Sequence, residues 1–343
     1  MKKSYLISLS LAGILAFGAL TGCSSTGESA ENNAPSFAES VSKDSQGEDN
    51  DSGTAGSGTA ADAGSESGAN SEDSAGASLD LYESFKAGQA KATYRGTGDM
   101  ASYIELSAVL TPGESYSLPE ICEMAGIIDD FVQYKPQGDA EFSYIDCGSD
   151  GNKELLVKQA FASDDMYEVF TLNMIIKDID GELCICWNQD MWSRSDVEVN
   201  EDGSIEGGGS GGAALHYTDR SFVDAKGDYH YFYGLESYMT PYGEYYSYKD
   251  GNYTSVDLEG LDNEHLGIDA YYFDSDPDKR SDYPTYSILD DNFNDVTTDA
   301  DYSDDNQVMK RFTDAGIKIY TRTEINDILD KRAGEIGYPS SNY

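Results

Sequence analysis

The chain has 343 residues, of which 64 are Asp or Glu and 22 are Lys or Arg, and its formal net charge is −42. This acidity excludes nucleic acid as a partner, because the phosphate backbone would repel the protein. It also disfavours flat association with an anionic membrane. It suits a well-solvated protein, and equally a protein that binds cations or cationic groups.

The first 22 residues have the pattern of a secretory signal peptide. Lys2 and Lys3 precede an apolar run over residues 5–19, which is too short for a membrane-spanning helix of roughly 20 apolar residues. The following Leu20-Thr21-Gly22-Cys23 resembles the bacterial lipobox. The resemblance implies that residues 1–22 are removed and that acyl chains on Cys23 anchor the protein at the extracytoplasmic face of the cell membrane. An ordinary signal peptide with a chance cysteine is the alternative.

Residues 23–78 are predicted to be a disordered, acidic, Ser/Gly-rich linker. Between residues 24 and 78 the chain has eleven acidic residues, one lysine (Lys43) and one aromatic residue (Phe37). Such a segment cannot bury enough apolar surface to offset its chain entropy. About 55 flexible residues would span on the order of 40 Å, so the linker would hold residues 79–343, the predicted globular domain, away from the membrane.

Two helices are predicted near the start of the globular domain. Ser78 is positioned to cap a helix that runs through Phe85 and ends near Gly88. Ser117 and Glu120 form a capping box, and apolar residues at helical spacing extend this second helix to Val132.

The rest of the domain reads mainly as antiparallel strands. Asp-Gly pairs at residues 150, 180, 202 and 250 predict hairpin turns, whereas Gly207 to Gly212 are predicted to form a flexible loop. Two C-terminal helices, near 304–316 and 323–334, are expected to flank a short strand over 317–321. The predicted fold class is therefore α+β, with a largely antiparallel sheet and a few flanking helices after the disordered linker.

Four cysteines remain besides Cys23, and they are predicted to be buried free thiols or members of cross-strand disulfides. Cys184 and Cys186 are two residues apart on a predicted strand, so both side chains face the same way and a bond between them is not expected. The other two are Cys122 and Cys147.

The sequence Asp146-Cys-Gly-Ser-Asp150-Gly-Asn-Lys-Glu154-Leu resembles the Asp-x-Asp-Gly-Asp-Gly-x-x-Glu-Leu hairpin of secreted bacterial proteins, including integrin-type calcium loops. The resemblance implies a calcium ion held by Asp146, Asp150 and Glu154, since calcium takes six to eight oxygen ligands. Gly148 and Ser149 depart from the pattern. The alternative is a tight turn whose acids accept hydrogen bonds from backbone amides. No other cofactor is predicted, since the cysteines and the three scattered histidines lack the spacing of a zinc site.

The segment from Tyr229 to Tyr248 is rich in tyrosine, and Tyr229, Tyr231 and Tyr233 alternate as if on one face of a strand. Such tyrosines either form an exposed surface that contacts a glycan or another protein, or line the core of a sheet. The candidate binding residues are Tyr229, Tyr231, Tyr233, Tyr245, Tyr246 and Tyr248.

The whole layout resembles uncharacterised surface lipoproteins of Gram-positive gut bacteria, a class that implies no particular activity. The sequence contains no convincing catalytic motif. We therefore expect a membrane-anchored, extracytoplasmic lipoprotein with a non-catalytic domain that binds a ligand or partner. The alternatives are an extracellular hydrolase acting on glycan and a structural protein of the cell envelope.

Overall fold

The computed structural model describes residues 71–96, 106–127, 132–164, 169–241, 243–339 and 343. The predicted signal peptide, Cys23 and most of the predicted linker lie outside the described residues. The described part has an α+β fold dominated by antiparallel sheet, as the sequence predicts.

The first sheet has six strands in the order β2-β1-β6-β5-β4-β3. Its neighbours are antiparallel except for β1 and β6, which pair in parallel. The strands are β1 (Ala92–Tyr94), β2 (Ser115–Tyr116), β3 (Tyr134–Ile145), β4 (Glu154–Ser163), β5 (Val169–Ile179) and β6 (Glu182–Trp192).

The second sheet also has six strands, all antiparallel, in the order β14-β13-β10-β9-β8-β7. A separate two-stranded hairpin, β11–β12, lies between β10 and β13 in the chain. These strands are β7 (Ser195–Val199), β8 (Ser204–Ser210), β9 (Leu215–Val223), β10 (Tyr229–Met239), β11 (Glu244–Lys249), β12 (Asn252–Asp257), β13 (Leu266–Tyr272) and β14 (Asp282–Ile288).

All four Asp-Gly pairs lie in hairpin connections, which confirms this part of the prediction. They join β3 to β4, β5 to β6, β7 to β8 and β11 to β12. At Asp180-Gly181 the φ angles are 56° and 88°. Two consecutive positive φ angles match the right-handed twist of the flanking strands, which is why Asp-Gly is favoured in such turns.

The helices are α1 (Ser71–Lys86), α2 (Leu118–Ala125), α3 (Gln307–Asp314) and α4 (Arg322–Ile336). The predicted start of α1 is wrong, because the helix begins at Ser71 and Ser78 lies inside it. The extension of α2 to Val132 is also wrong. The helix stops where its end meets the start of β3: the Gly126 carbonyl accepts the Tyr134 amide at 2.9 Å, and a Cβ at Gly126 would overlap the Tyr134 carbonyl.

Two other predictions are corrected by the sheets. Gly207 to Gly209 and Ser210 belong to β8 rather than to a flexible loop. Residues 317–321 do not form a strand, although the Tyr320 amide donates to the Pro284 carbonyl at 2.8 Å. This backbone hydrogen bond links the connection to β14, but residues 317–321 do not form a β-ladder with that strand.

Four apolar clusters hold the layers together. Helices α1 and α2 cover one face of the first sheet, and its other face packs on the second sheet through residues such as Trp187, Ile205 and Val223. On the second sheet, α4 covers one face, while α3 and the β11–β12 hairpin cover part of the other.

All four cysteines of the domain are free thiols, and three of them (Cys122, Cys147 and Cys186) are buried. Within the described ranges, no helix is long and apolar enough to span a bilayer.

Candidate functional site

The predicted calcium hairpin uses its carboxylates for other contacts. The Asp146 carboxylate accepts the Gly151 amide at 3.0 and 3.2 Å, and Asp150 accepts the Asn152 amide at 2.8 Å. Glu154 is fully buried; one oxygen accepts the Cys147 amide at 2.7 Å and the other is bound by Lys177. In the part of the chain that the structure describes, no group of three or more His, Cys, Asp or Glu residues is arranged to hold a metal ion.

These contacts predict how the protein responds to calcium. Because the Lys177 ammonium binds Glu154 and the Gly151 amide donates to the Asp146 carboxylate, millimolar calcium is expected to leave the melting temperature unchanged. Thermal unfolding with calcium and with a chelator tests this. A rise that disappears in the Asp146→Asn variant would favour the calcium loop instead.

Lys177 of the Glu154–Lys177 pair lines a cavity of about 450 Å³. Burial lowers the pKa of Lys177, but the hydrogen bond that Lys177 donates to Glu154 and the negative charges of Glu154 and Asp150 together outweigh burial, so this pKa lies above its ordinary value. Polar groups along the wall also pair with each other: the Tyr82 hydroxyl donates to the Lys153 carbonyl and accepts the Asp178 amide, both at 2.9 Å. The pairing indicates a structural role for this region.

The tyrosines that were predicted to share one face of β10 lie on two opposite faces of the sheet. The pairing of β10 with β9 shifts register between Tyr231 and Tyr233, so a β-bulge reverses the direction of the following side chains. Tyr229 and Tyr231 line one cavity. Tyr233 is buried on the opposite face, where it contacts Tyr271 and accepts a hydrogen bond from Arg220.

Tyr245 is also a core residue. Only 2% of it is exposed, and its ring packs against Tyr238 and Phe312. Tyr233 and Tyr245 therefore cannot contribute an exposed binding surface, and for these two residues the core interpretation is the right one.

An exposed cluster lies on the outer face of the β11–β12 hairpin, and we call Tyr246, Tyr248 and Tyr253 the tyrosine ridge. Tyr246 is 42% exposed and Tyr253 is 67% exposed. The Tyr253 ring lies 5.6 Å from that of Tyr246 and 6.2 Å from that of Tyr248, at interplanar angles of 80° and 63°. Tyr253 was not predicted, although the Asp250-Gly251 turn places it directly opposite Tyr248.

Arg280 holds the base of the tyrosine ridge. Its guanidinium lies 4.7 Å from the Tyr248 ring centre and 4.1 Å from that of Tyr272. It also pairs with Glu236 and, at 2.8 Å, with Asp282. Because Tyr272 belongs to the neighbouring cavity, Arg280 joins the ridge to that cavity.

That cavity, which we call the tyrosine pocket, has a volume of about 170 Å³ and is lined by Tyr217, Thr218, Asp219, Tyr229, Tyr231, Tyr272 and Ser275. It is built on one row of paired residues across the sheet, Gly207–Asp219–Gly234–Tyr272. A Cβ on Gly207 would overlap the Asp219 carboxylate, and a Cβ on Gly234 would overlap the Tyr272 ring and the Tyr231 hydroxyl. Both glycines are therefore needed for these side chains to occupy their positions.

The Asp219 carboxylate is poorly compensated. Its Oδ2 atom is inaccessible to solvent and has no hydrogen-bond partner among the described residues. Burial raises the pKa of Asp219 to about 6, and the charge of Arg220 opposes this only in part. Asp219 as a whole is partly exposed, but a carboxylate oxygen that is buried without a partner costs stability, so Asp219 is a candidate for binding a ligand. Sequence reasoning missed it, because no motif marks it.

No family model matches the chain, and comparisons with curated proteins and with solved structures gave no match either. The described site is defined by geometry alone and has two parts: the tyrosine ridge, and the adjoining tyrosine pocket with one carboxylate whose Oδ2 atom is buried.

Proposed function

We propose that this protein is a membrane-anchored, extracytoplasmic lipoprotein whose globular domain is a non-catalytic module that binds another surface protein through the tyrosine ridge. The main support for this proposal is that Tyr246 and Tyr253 are exposed and that their rings are in contact. Tyr248 belongs to the same cluster, and the Arg280 guanidinium packs against its ring. The lipid on Cys23 provides the anchor.

The ridge has the physical properties of a contact surface. Tyrosine buries a large area on binding and loses little conformational entropy, because it has only two side-chain torsions. The Tyr253 ring contacts those of Tyr246 and Tyr248 edge to face, so the three rings do not form one flat plane. This shape favours a protein surface over the successive flat sugar rings of a glycan.

Charge supports a basic partner. The chain carries a formal net charge of −42, and the Tyr246 hydroxyl donates to Glu244 at 2.6 Å, which places a carboxylate at the edge of the ridge. A positively charged surface would be steered towards such a protein and would meet complementary groups there.

The contacts of Glu236 favour binding over glycan hydrolysis. Hydrolysis uses two carboxylates that face each other across the scissile bond. Asp219 is one acid with a raised pKa, but Glu236, on the other side of Tyr272, is bound by Arg280 and accepts the Tyr238 hydroxyl at 2.7 Å. A carboxylate held in this way is not free to act as a nucleophile or base.

The ridge proposal predicts a loss of binding without a loss of folding. A photo-crosslinker at position 253 in cells is expected to trap a partner, and the purified partner should bind the Tyr246→Ala/Tyr253→Ala protein at least tenfold more weakly. The control is Phe293→Ala, which removes an aromatic ring of similar exposure (60%) elsewhere. Equal loss in the control, or binding to glycans alone on an array, would contradict the proposal.

The anchor proposal predicts a change of location. The Cys23→Ser variant is expected in the culture medium instead of the membrane fraction, and it should incorporate no labelled palmitate, because two or more acyl chains are what hold a soluble domain stably at a bilayer. Cys184→Ser, which alters a partly exposed thiol of the domain, should remain in the membrane fraction. Retention of Cys23→Ser at the membrane would rule out lipid on this residue as the anchor.

A further inference from the structure

We propose that the tyrosine pocket is a binding site for a protonated alkylamine, with the ammonium group against Asp219 and the alkyl chain among the rings of Tyr217, Tyr229, Tyr231 and Tyr272. Neither the tyrosine ridge nor Cys23 is needed for the pocket to bind an amine.

The first reason is the missing hydrogen-bond donor. Asp219 Oδ2 is buried and has no partner among the described residues, whereas buried polar groups in native proteins are nearly always paired. An ammonium group supplies both an N–H donor and the opposite charge, which makes a hydrogen bond of the stronger, charge-assisted type. A quaternary ammonium would supply only the charge.

The second reason is the nature of the wall. Four tyrosines line the pocket together with Asp219, and the negative face of an aromatic ring attracts a cation. The rings also offer apolar surface to methylene groups. The volume of about 170 Å³ is well above the roughly 10–15 Å³ that one water molecule needs, so an organic group can enter.

The third reason is that the sheet is built around this space. Gly207 and Gly234 lie on either side of Asp219 in the same row, and neither can carry a side chain without displacing a wall of the pocket. Two glycines in paired strands weaken a sheet. The two glycines are explained if the space that they leave open binds a ligand.

A metal ion fits this pocket less well than an amine. Calcium takes six to eight oxygen ligands and magnesium needs six in near-octahedral geometry. The described lining offers one carboxylate, and the structure shows no metal-ligating group of three or more side chains in the residues it describes.

The direct test is calorimetric titration of the full chain, in its soluble Cys23→Ser form, with n-butylamine at pH 7.5. We expect saturable binding of n-butylamine, none of n-butanol, and at least a tenfold loss of amine affinity in Asp219→Asn. The control Asp196→Asn changes an exposed acid on the edge strand of the same sheet and should bind normally. Equal binding of butanol, or unchanged affinity in Asp219→Asn, would overturn the proposal.

The source of the amine is tested with a second ligand. Nα-acetyl-lysine methylamide carries the same butylammonium group on a peptide backbone. Tighter binding than n-butylamine would assign the pocket to a lysine side chain of a protein, and weaker binding would assign it to a free amine. Failure of both ligands in the presence of a functional ridge would remove the pocket proposal and leave the ridge proposal standing.

Two further readouts separate binding from folding. Asp219→Asn should have a higher melting temperature without ligand, because it removes a buried charge that lacks a partner. In the unmodified pocket, amine affinity should fall as the pH drops through about 6, where Asp219 takes up a proton. The other groups around Asp219 are Arg220 and the four tyrosines, whose pKa values burial raises, and none of these titrates near pH 6. The charged pair Glu236–Arg280 reaches the pocket wall through the contact of Arg280 with the Tyr272 ring.

Discussion

Replacing Lys177 with methionine is expected to destabilise the protein by about 3–5 kcal/mol, because it leaves a buried carboxylate without its cation. Glu154 has no exposed surface and the Lys177 side chain is 9% exposed, so solvent cannot replace the lost ammonium. For a domain of this size the melting temperature should fall by roughly 10 °C. Denaturant and thermal unfolding of the variant measure the change.

A second substitution distinguishes the charge from the packing. Adding Glu154→Gln to Lys177→Met removes the unpaired charge and keeps an oxygen for the Cys147 amide, so most of the lost stability should return. Lys135→Met, which breaks the exposed pair with Asp164, should change the melting temperature little. A loss that the double variant does not recover would show that lysine packing, not the ion pair, stabilises this hairpin.

Replacing Arg280 with methionine is expected to have a comparable effect, about 3–5 kcal/mol, since it leaves two carboxylates without a cation. The Asp282 side chain is fully buried and that of Glu236 is 11% exposed. Burial raises the pKa of Asp282 even with Arg280 present. Removing the arginine raises the pKa further, so the variant's deficit in the free energy of unfolding should be larger at pH 7 than at pH 5.

Lys318 provides the matched control for Arg280. It also lies over a tyrosine ring, at 4.0 Å from that of Tyr320, and it also pairs with an acid, Glu324. Both partners are largely exposed, so Lys318→Met should be nearly silent. If Arg280→Met were equally silent, Arg280 would not be the support of the tyrosine ridge and the tyrosine pocket.

The same contacts explain why the two buried cations and Asp219 differ. Lys177 and Arg280 each balance carboxylates that the fold has already buried, so their removal costs stability. Asp219 is a partly exposed acid with one buried oxygen, and that oxygen has no hydrogen-bond partner within the described structure. Folding stability alone would favour a different residue at position 219. Ligand binding therefore explains better why an aspartate is found there.

Local sequence signals were sufficient for some elements. The Asp-Gly pairs located four hairpins because that dipeptide tolerates the left-handed backbone of a tight turn. The capping box at Ser117 placed the start of α2. Apolar runs and turns were enough for the antiparallel α+β class. The signal peptide, the lipid on Cys23 and the linker remain predictions from sequence, because the first two and most of the linker lie outside the described residues.

By itself, then, the sequence determined where the chain turns and which broad class of fold results, because these depend on residues close together along the chain. The position and composition of the candidate site could be read only from the tertiary structure. Asp219, Gly234 and Tyr272 meet through strand register, and a bulge in β10 sends Tyr233 into the core while Tyr231 stays in the pocket. Periodicity along one strand carries no information about a neighbouring strand's register or a bulge, so a carboxylate with no motif around it became visible only once four strands were placed side by side.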